Sequence, residues 1–263
     1  MRTLVLSPRY TDDSNAMWRA ATARDWDVVR VRSYRPDAVD PAAVKHPPVL
    51  YGETLLADAL AEPLGVVVVE PSASWLPDLP EAYRKRRVEL TTLGAARRLR
   101  TPHFVKPVDE KIFKSRVYED GALIDPELAL DDAEAVQVSD VVEFDLEVRL
   151  FVANRRVHTY SAYLRNGALA RDDAGQWPLS DDEARQAMRF VNDLFADRAV
   201  ELPEALVLDV GRTKDRGWCV VEANPCWCSG LCGCDPRAAL DVCAVACKPK
   251  DASTRWSRRP KGL

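Results

Sequence analysis

The 263-residue chain has no cysteine before Cys219, three histidines in all, and no unbroken aliphatic run beyond four residues, such as the valines at 66–69. Each scarcity excludes something. A run that short cannot cross a bilayer as a helix. A secreted disulfide framework spreads its cysteines and normally leaves none over, whereas here seven crowd between Cys219 and Cys247. With only His46, His103 and His158, histidine-centred catalysis has little material, and each is read as structural or exposed. There is no GxxxxGK[ST], HExxH or GxSxG, and no GxGxxG follows the first apolar run. The opening residues hold one short apolar strand before Ser7 and Pro8, which is no secretory signal, so a cytoplasmic protein is expected.

At 47% hydrophobic and 30% charged residues, the chain is a globular sequence and not a disordered one. Its net charge of -4 gives no general attraction to nucleic acid or acidic membranes, and neither is expected as a partner. Positive charge gathers at 248–263, a basic stretch read as a disordered tail or, alternatively, a docking arm.

Residues 1–80 alternate short strands and helices. Strands are expected near 3–6, 27–31, 49–51 and 65–69, with helices near 14–23 and 54–61. Valine-rich runs without polar alternation suit parallel strands covered on both faces, so the order predicts a small doubly wound α/β sheet of four strands. A proline-rich connector (71–80) leads to the basic run 83–87, which opens a predicted helix to about Leu99. That run is either a solvated helix face or a phosphate contact. From 101 onward the pattern is α+β. A hairpin is expected over 104–107 and 115–118, a strand over 136–142, and a second hairpin over 147–164 about Ala153-Asn154. Ser180 with Glu183 forms a capping box that opens a helix, and a final helix spans 238–247.

The chemistry concentrates on two late strands, 206–210 and 218–221, and the residues that continue the second to Pro225. Alternation places Glu222 and Asn224 on one face, together with Trp218 and Val220. If Thr213 pairs with Trp218 across a four-residue turn, Asp209 falls opposite Glu222. Two carboxylates and an amide oxygen are hard ligands suited to Mg²⁺. Their alternative is a solvated hairpin with incidental acids. Glu147 and Arg149 share a strand face, as an ion pair or as a phosphate-binding site. Lys106 ends an apolar strand, with Lys111 and Lys114 in the following turn.

Taken in order, the lysine of Phe104-Val105-Lys106-Pro107, the strand ending near Val142, Glu147-x-Arg149, and Asp209 followed by Glu222-x-Asn224 resemble the ATP-grasp superfamily. The likeness is to its small bacterial R2K clade, over about 86–241. It implies a pre-ATP-grasp unit (1–80) followed by a two-subdomain ATP-grasp fold (81–247, divided near 142). ATP would lie between the subdomains. Lys106 would meet the α-phosphate and Lys111 the other phosphates. Val141, Val142 and Glu143 would form the adenine hinge through their backbone. Glu147 would contact ribose or the metal shell, and Arg149 phosphate. Asp209, Glu222 and Asn224 would hold Mg²⁺, and Arg165 would face the transferred phosphoryl group. The implied activity is ligation of a small-molecule or peptide carboxylate to a nucleophile, with a kinase or a non-catalytic nucleotide-binding module as alternatives. Oligomeric state stays open. The phosphate loop after Lys106 is short and lacks glycine. The cysteine cluster has no CxxC pair, which favours structural thiols over a metal, redox or acyl-accepting role.

Overall fold

The computed structural model describes residues 1–108, 112–125 and 129–258. Apolar strands β1 (Thr3–Leu6), β2 (Asp27–Arg30) and β3 (Pro48–Tyr51) form a parallel sheet in the order β2-β1-β3, flanked by α1 (Asp12–Thr22) and α2 (Thr54–Leu60). Thr11 and Ser14 cap α1 reciprocally. The sheet has three strands, not the predicted four. β4 (Val66–Val68) pairs antiparallel with β14 (Cys247–Pro249) instead.

The predicted helix over 83–99 is also replaced. Residues fold as α3 (Trp75–Asp78), α4 (Glu81–Arg84), β5 (Val88–Thr92) and α5 (Leu93–Ala96). Lys85 ends α4 in the left-handed region at φ 46°, and the β-branched run Val88, Thr91, Thr92 then favours a strand. A four-stranded sheet follows, ordered β5-β8-β6-β7, from β6 (His103–Pro107), β7 (Arg116–Tyr118) and β8 (Ala135–Ser139). Its inner face covers a small core of Leu93, Ala96, Val105, Phe113, Ile124, Val136 and Val138.

The second sheet is antiparallel, ordered β11-β10-β9-β12-β13, with β9 (Leu146–Ala153), β10 (Arg156–Arg165), β11 (Ala168–Leu169), β12 (Ala205–Thr213) and β13 (Gly217–Asn224). One face packs Leu146, Val148, Leu150, Leu206, Leu208 and Val210 against Ala187, Val191 and Leu194 of α6 (Asp181–Ala196). The opposite face is divided. Phe151, Ala153, Ala205 and Val207 pack with α7 (Pro236–Ala246) into the core that also holds the N-terminal sheet. Beyond them this face turns polar.

Residues 248–258 are not a loose tail. Lys248 pairs with Glu204, Trp256 packs on both large cores, and the half-buried Arg258 guanidinium pairs with Asp58 and Glu70. The basic charges there are committed to acids of the body, which the charge count alone cannot reveal. No helix among the described residues is long and apolar enough to cross a membrane.

Candidate functional site

The polar half-face is built by strand register. Asp209 pairs with Arg149 on one side and Glu222 on the other, and Gly211 pairs with Glu147. Directly paired residues share a face, so all four functional groups converge. The turn differs from expectation. Thr213 pairs with Gly217, and a one-residue slip between Asp209 and Val210 leaves Val221 unpaired. This bulge restores Asp209 opposite Glu222 and also flips the strand. Trp218 and Val220 therefore face the α6 core, away from Glu222 and Asn224. Gly211 is required beside the bulge, where a Cβ would lie 2.4 Å from the Phe144 ring.

Arg86, from the basic run, holds the bulge. Its guanidinium is buried and donates to the carbonyls of Val220 (2.7 Å) and Val221 (2.9 Å). It is not a solvated helix residue. Nothing in the linear order flags this role.

Arg149 is the centre of the cluster. Its Nε and Nη2 fork onto Asp209 Oδ1 (2.9 Å) and Oδ2 (2.7 Å), and its Nη1 donates to the Gly230 carbonyl (3.1 Å) and touches Cys232 Sγ (3.5 Å). The Tyr163 ring stacks 4.1 Å from the guanidinium carbon. Asp209 is fully buried. Burial pushes its carboxyl up to about 6, against the pull of Arg149. For Arg149, burial works against the charge and the Asp209 carboxylate more than restores it. Glu222 is partly exposed and accepts from Lys106 Nζ (2.8 Å) and Asn224 Nδ2 (2.8 Å). Burial would raise it, but Lys106 and then Asn224 hold it at about 2. Glu147 is raised to about 7 by burial and by the neighbouring Asp209 and Glu222.

Lys106 belongs to β6 of the four-stranded sheet, so its bond to Glu222 crosses the seam between the two sheets. Residues Val141, Val142 and Glu143 form the extended crossing from β8 to β9, outside any strand. Lys111 lies outside the described residues. Arg165 is not at the cluster. It pairs with Leu146 on the α6 face and forks onto both oxygens of Glu183 at 2.8 and 3.1 Å.

The N-terminal unit reaches the same place. Asp13 Oδ2 accepts from Leu231 N (3.1 Å), Tyr51 Oη donates to the Ser229 carbonyl (2.9 Å), and Gly52 N donates to the Trp227 carbonyl. Gly233 adopts φ 87°, where a Cβ would lie 2.4 Å from Trp177. The space at Gly233 is filled by Trp177 and Ser161. The cysteines are free thiols held in packing. Cys243 Sγ donates to the Cys226 carbonyl, Cys247 Sγ accepts from Leu50 N, and burial pushes the thiols of Cys228, Cys234 and Cys247 up to about 12. Among the described residues no group of three or more His, Cys, Asp and Glu could hold a metal ion by itself. The oxygens that face the seam are the Glu222 carboxylate and the Asn224 amide, with Asp209 behind them giving both its oxygens to Arg149. A carboxylate and an amide are part of a shell of the kind that Mg²⁺ completes with phosphate oxygens and water. The donor chemistry fits that ion.

The model for the ATP-grasp domain, R2K clade family 2, matches residues 83–242. Similar solved structures include a D-cycloserine synthetase (16% identity, 92% of this chain and 98% of that one, TM-score 0.57). A D-alanine–D-alanine ligase from Bacillus anthracis is comparable (12%, 94% and 97%, TM-score 0.57), as is a RimK-domain ATP-grasp protein from Sphaerobacter thermophilus (15%, 94% and 97%, TM-score 0.50). No curated protein sequence matches. These structural likenesses speak to the fold, and the domain match covers more than half of the chain, which therefore belongs to family 2 of the R2K clade of ATP-grasp proteins.

Proposed function

We propose that the protein is an ATP- and Mg²⁺-dependent ligase that joins a small-molecule or peptide carboxylate to an amine or another nucleophile, releasing ADP and phosphate. The observation that carries the reading is the Lys106–Glu222 contact at 2.8 Å. It brings a phosphate-seeking cation of one sheet to the carboxylate–amide–arginine cluster of the other. In this reading ATP enters along that seam, against the crossing residues Val141, Val142 and Glu143. Lys106 takes the α-phosphate, and Glu222 and Asn224, with Asp209 behind them, hold Mg²⁺, which neutralises phosphate charge. Glu147 contacts ribose or the metal shell.

Arg149 acts by position. Its fork on Asp209 and its bond to the Gly230 carbonyl fix the cation between the metal-ligand strand and the 229–232 turn. The carboxylate substrate attacks the γ-phosphorus and displaces ADP. The nucleophile then attacks the acyl carbon and displaces phosphate. Between these steps water has to be kept from the acyl phosphate, a task suited to the seam where the N-terminal unit meets residues 229–231. The reaction would run in the cytoplasm.

The test is a screen of carboxylates and amines for substrate-dependent ADP release. Equal amounts of ADP and phosphate with one condensed product are expected. Hydroxylamine in place of the acceptor should trap a hydroxamate. A stable phosphorylated product without free phosphate would establish a kinase instead.

A further inference from the structure

Gln137 lies at the same seam, on β8, paired directly with Lys106 of β6 and two residues before Ser139, where the crossing to β9 begins. It is 9% exposed. Its Nε2 donates to the Ala73 carbonyl (2.7 Å), which fixes the orientation of the amide, since a carbonyl can meet only the nitrogen end. The other end is then an acceptor, and Oε1 is buried with no hydrogen-bond partner among the described residues. Leaving such a group unpaired is unfavourable. A hydrophobic residue of similar size would avoid that cost. The small cleft that receives it is lined by Lys106, Glu222, Ala223, Trp75 and Leu76.

We infer that Gln137 is a nucleotide-specificity residue whose Oε1 accepts a hydrogen bond from the 6-amino group of adenine. The inference rests on the ATP-binding reading above. Three residues, Val138 to Asp140, separate Gln137 from the crossing segment that would take the base, and its cross-strand neighbour Lys106 would take the α-phosphate, so Gln137 lies on the strand between the two. An amide matches the N6–N7 edge of adenine: oxygen accepts from N6–H, and the second N–H of Nε2 can meet N7. Guanine presents an oxygen at that position and would face Oε1 acceptor to acceptor.

The probes are Mg–ATP and Mg–purine riboside triphosphate, which lacks only the 6-amino group, titrated calorimetrically into the full chain without any carboxylate substrate. The intact protein should bind ATP about tenfold more tightly, one hydrogen bond's worth of discrimination. In Gln137→Met the two should bind equally, mainly through weaker ATP binding. Gln137→Glu, which keeps an acceptor oxygen, should keep the preference for the 6-amino compound. Equal binding of both nucleotides by the intact protein overturns the inference and leaves the ATP-dependent reading standing. Preserved discrimination in a folded Gln137→Met overturns it as well. Binding of neither nucleotide overturns both readings.

Discussion

The guanidinium of Arg86 donates to the Val221 carbonyl at 2.9 Å, and Val221 is the residue left unpaired where β13 slips against β12. A side chain from the connector between the N-terminal unit and the first sheet thus sets which residue stands opposite Asp209. Arg86→Met should cost about 2–4 kcal/mol, because two buried carbonyls lose a charged donor. Urea denaturation measures the loss. Nucleotide affinity should fall with it even in conditions where the variant is fully folded, and unchanged affinity would mean that the bulge keeps its register unaided.

Glu222→Gln and Asp209→Asn should each lower ADP formation by at least about 10²-fold, the scale of lost transition-state electrostatics. They should separate in stability. Asp209 is fully buried against Arg149, so Asp209→Asn leaves a buried cation uncompensated and should cost about 3–5 kcal/mol. Glu222 lies at a partly exposed seam, and its change should cost under about 1 kcal/mol. Thermal denaturation without nucleotide distinguishes them. Equal melting temperatures would contradict the packing described at Arg149.

Arg165 is assigned to architecture, and pH gives the check. Its hydrogen bonds are the main reason that Glu183 is lowered to about 2, against burial. A folded-state value below the unfolded value of 4.5 means that the stabilisation is present above about pH 4.5 and is lost as pH falls toward 2. Glu183→Gln keeps an acceptor oxygen for the Ser180 backbone N–H and should cost about 1–2 kcal/mol at pH 7, discounted because Arg165 is more than a third exposed. Below about pH 2 the difference should vanish. A difference that persists there would trace to the helix cap and not to the ion pair.

The thiols should behave as packing groups. At pH 7.5 an anionic disulfide reagent should label the native protein slowly, since burial raises most of these thiols. All seven should react promptly after denaturation. Elemental analysis should find no stoichiometric zinc, and zinc at one equivalent would overturn the structural role.

The cluster was legible where chemistry follows strand alternation. Glu222 and Asn224 are two apart, as are Glu147 and Arg149, and each pair does share a face. The pairing of Asp209 with Glu222 holds although the turn is one residue shorter than the sequence suggests, because Val221 absorbs the difference. That outcome could not be read, because the bulge depends on Arg86, far away in sequence. The same limit applies to β4 and Arg258. A short valine run and a basic terminal stretch carry no local sign of partners about 200 residues distant, such as Asp58 for Arg258. Gln137 has no signature in the sequence for another reason: its significance lies in an unpaired acceptor oxygen, which depends on the fold around it.

The pairing of β4 with β14 bears on biosynthesis. While the chain emerges from the ribosome, β1, β2 and β3 can meet early, but β4 has no strand to pair with until residues 247–249 exist, and Asp58 and Glu70 lack their cation until Arg258 does. Closing contacts this distant in sequence slows assembly and leaves the Val66–Val68 edge exposed meanwhile. Cleaving the chain between α7 and Arg258 would therefore injure the unit that holds β4, made well before the cut.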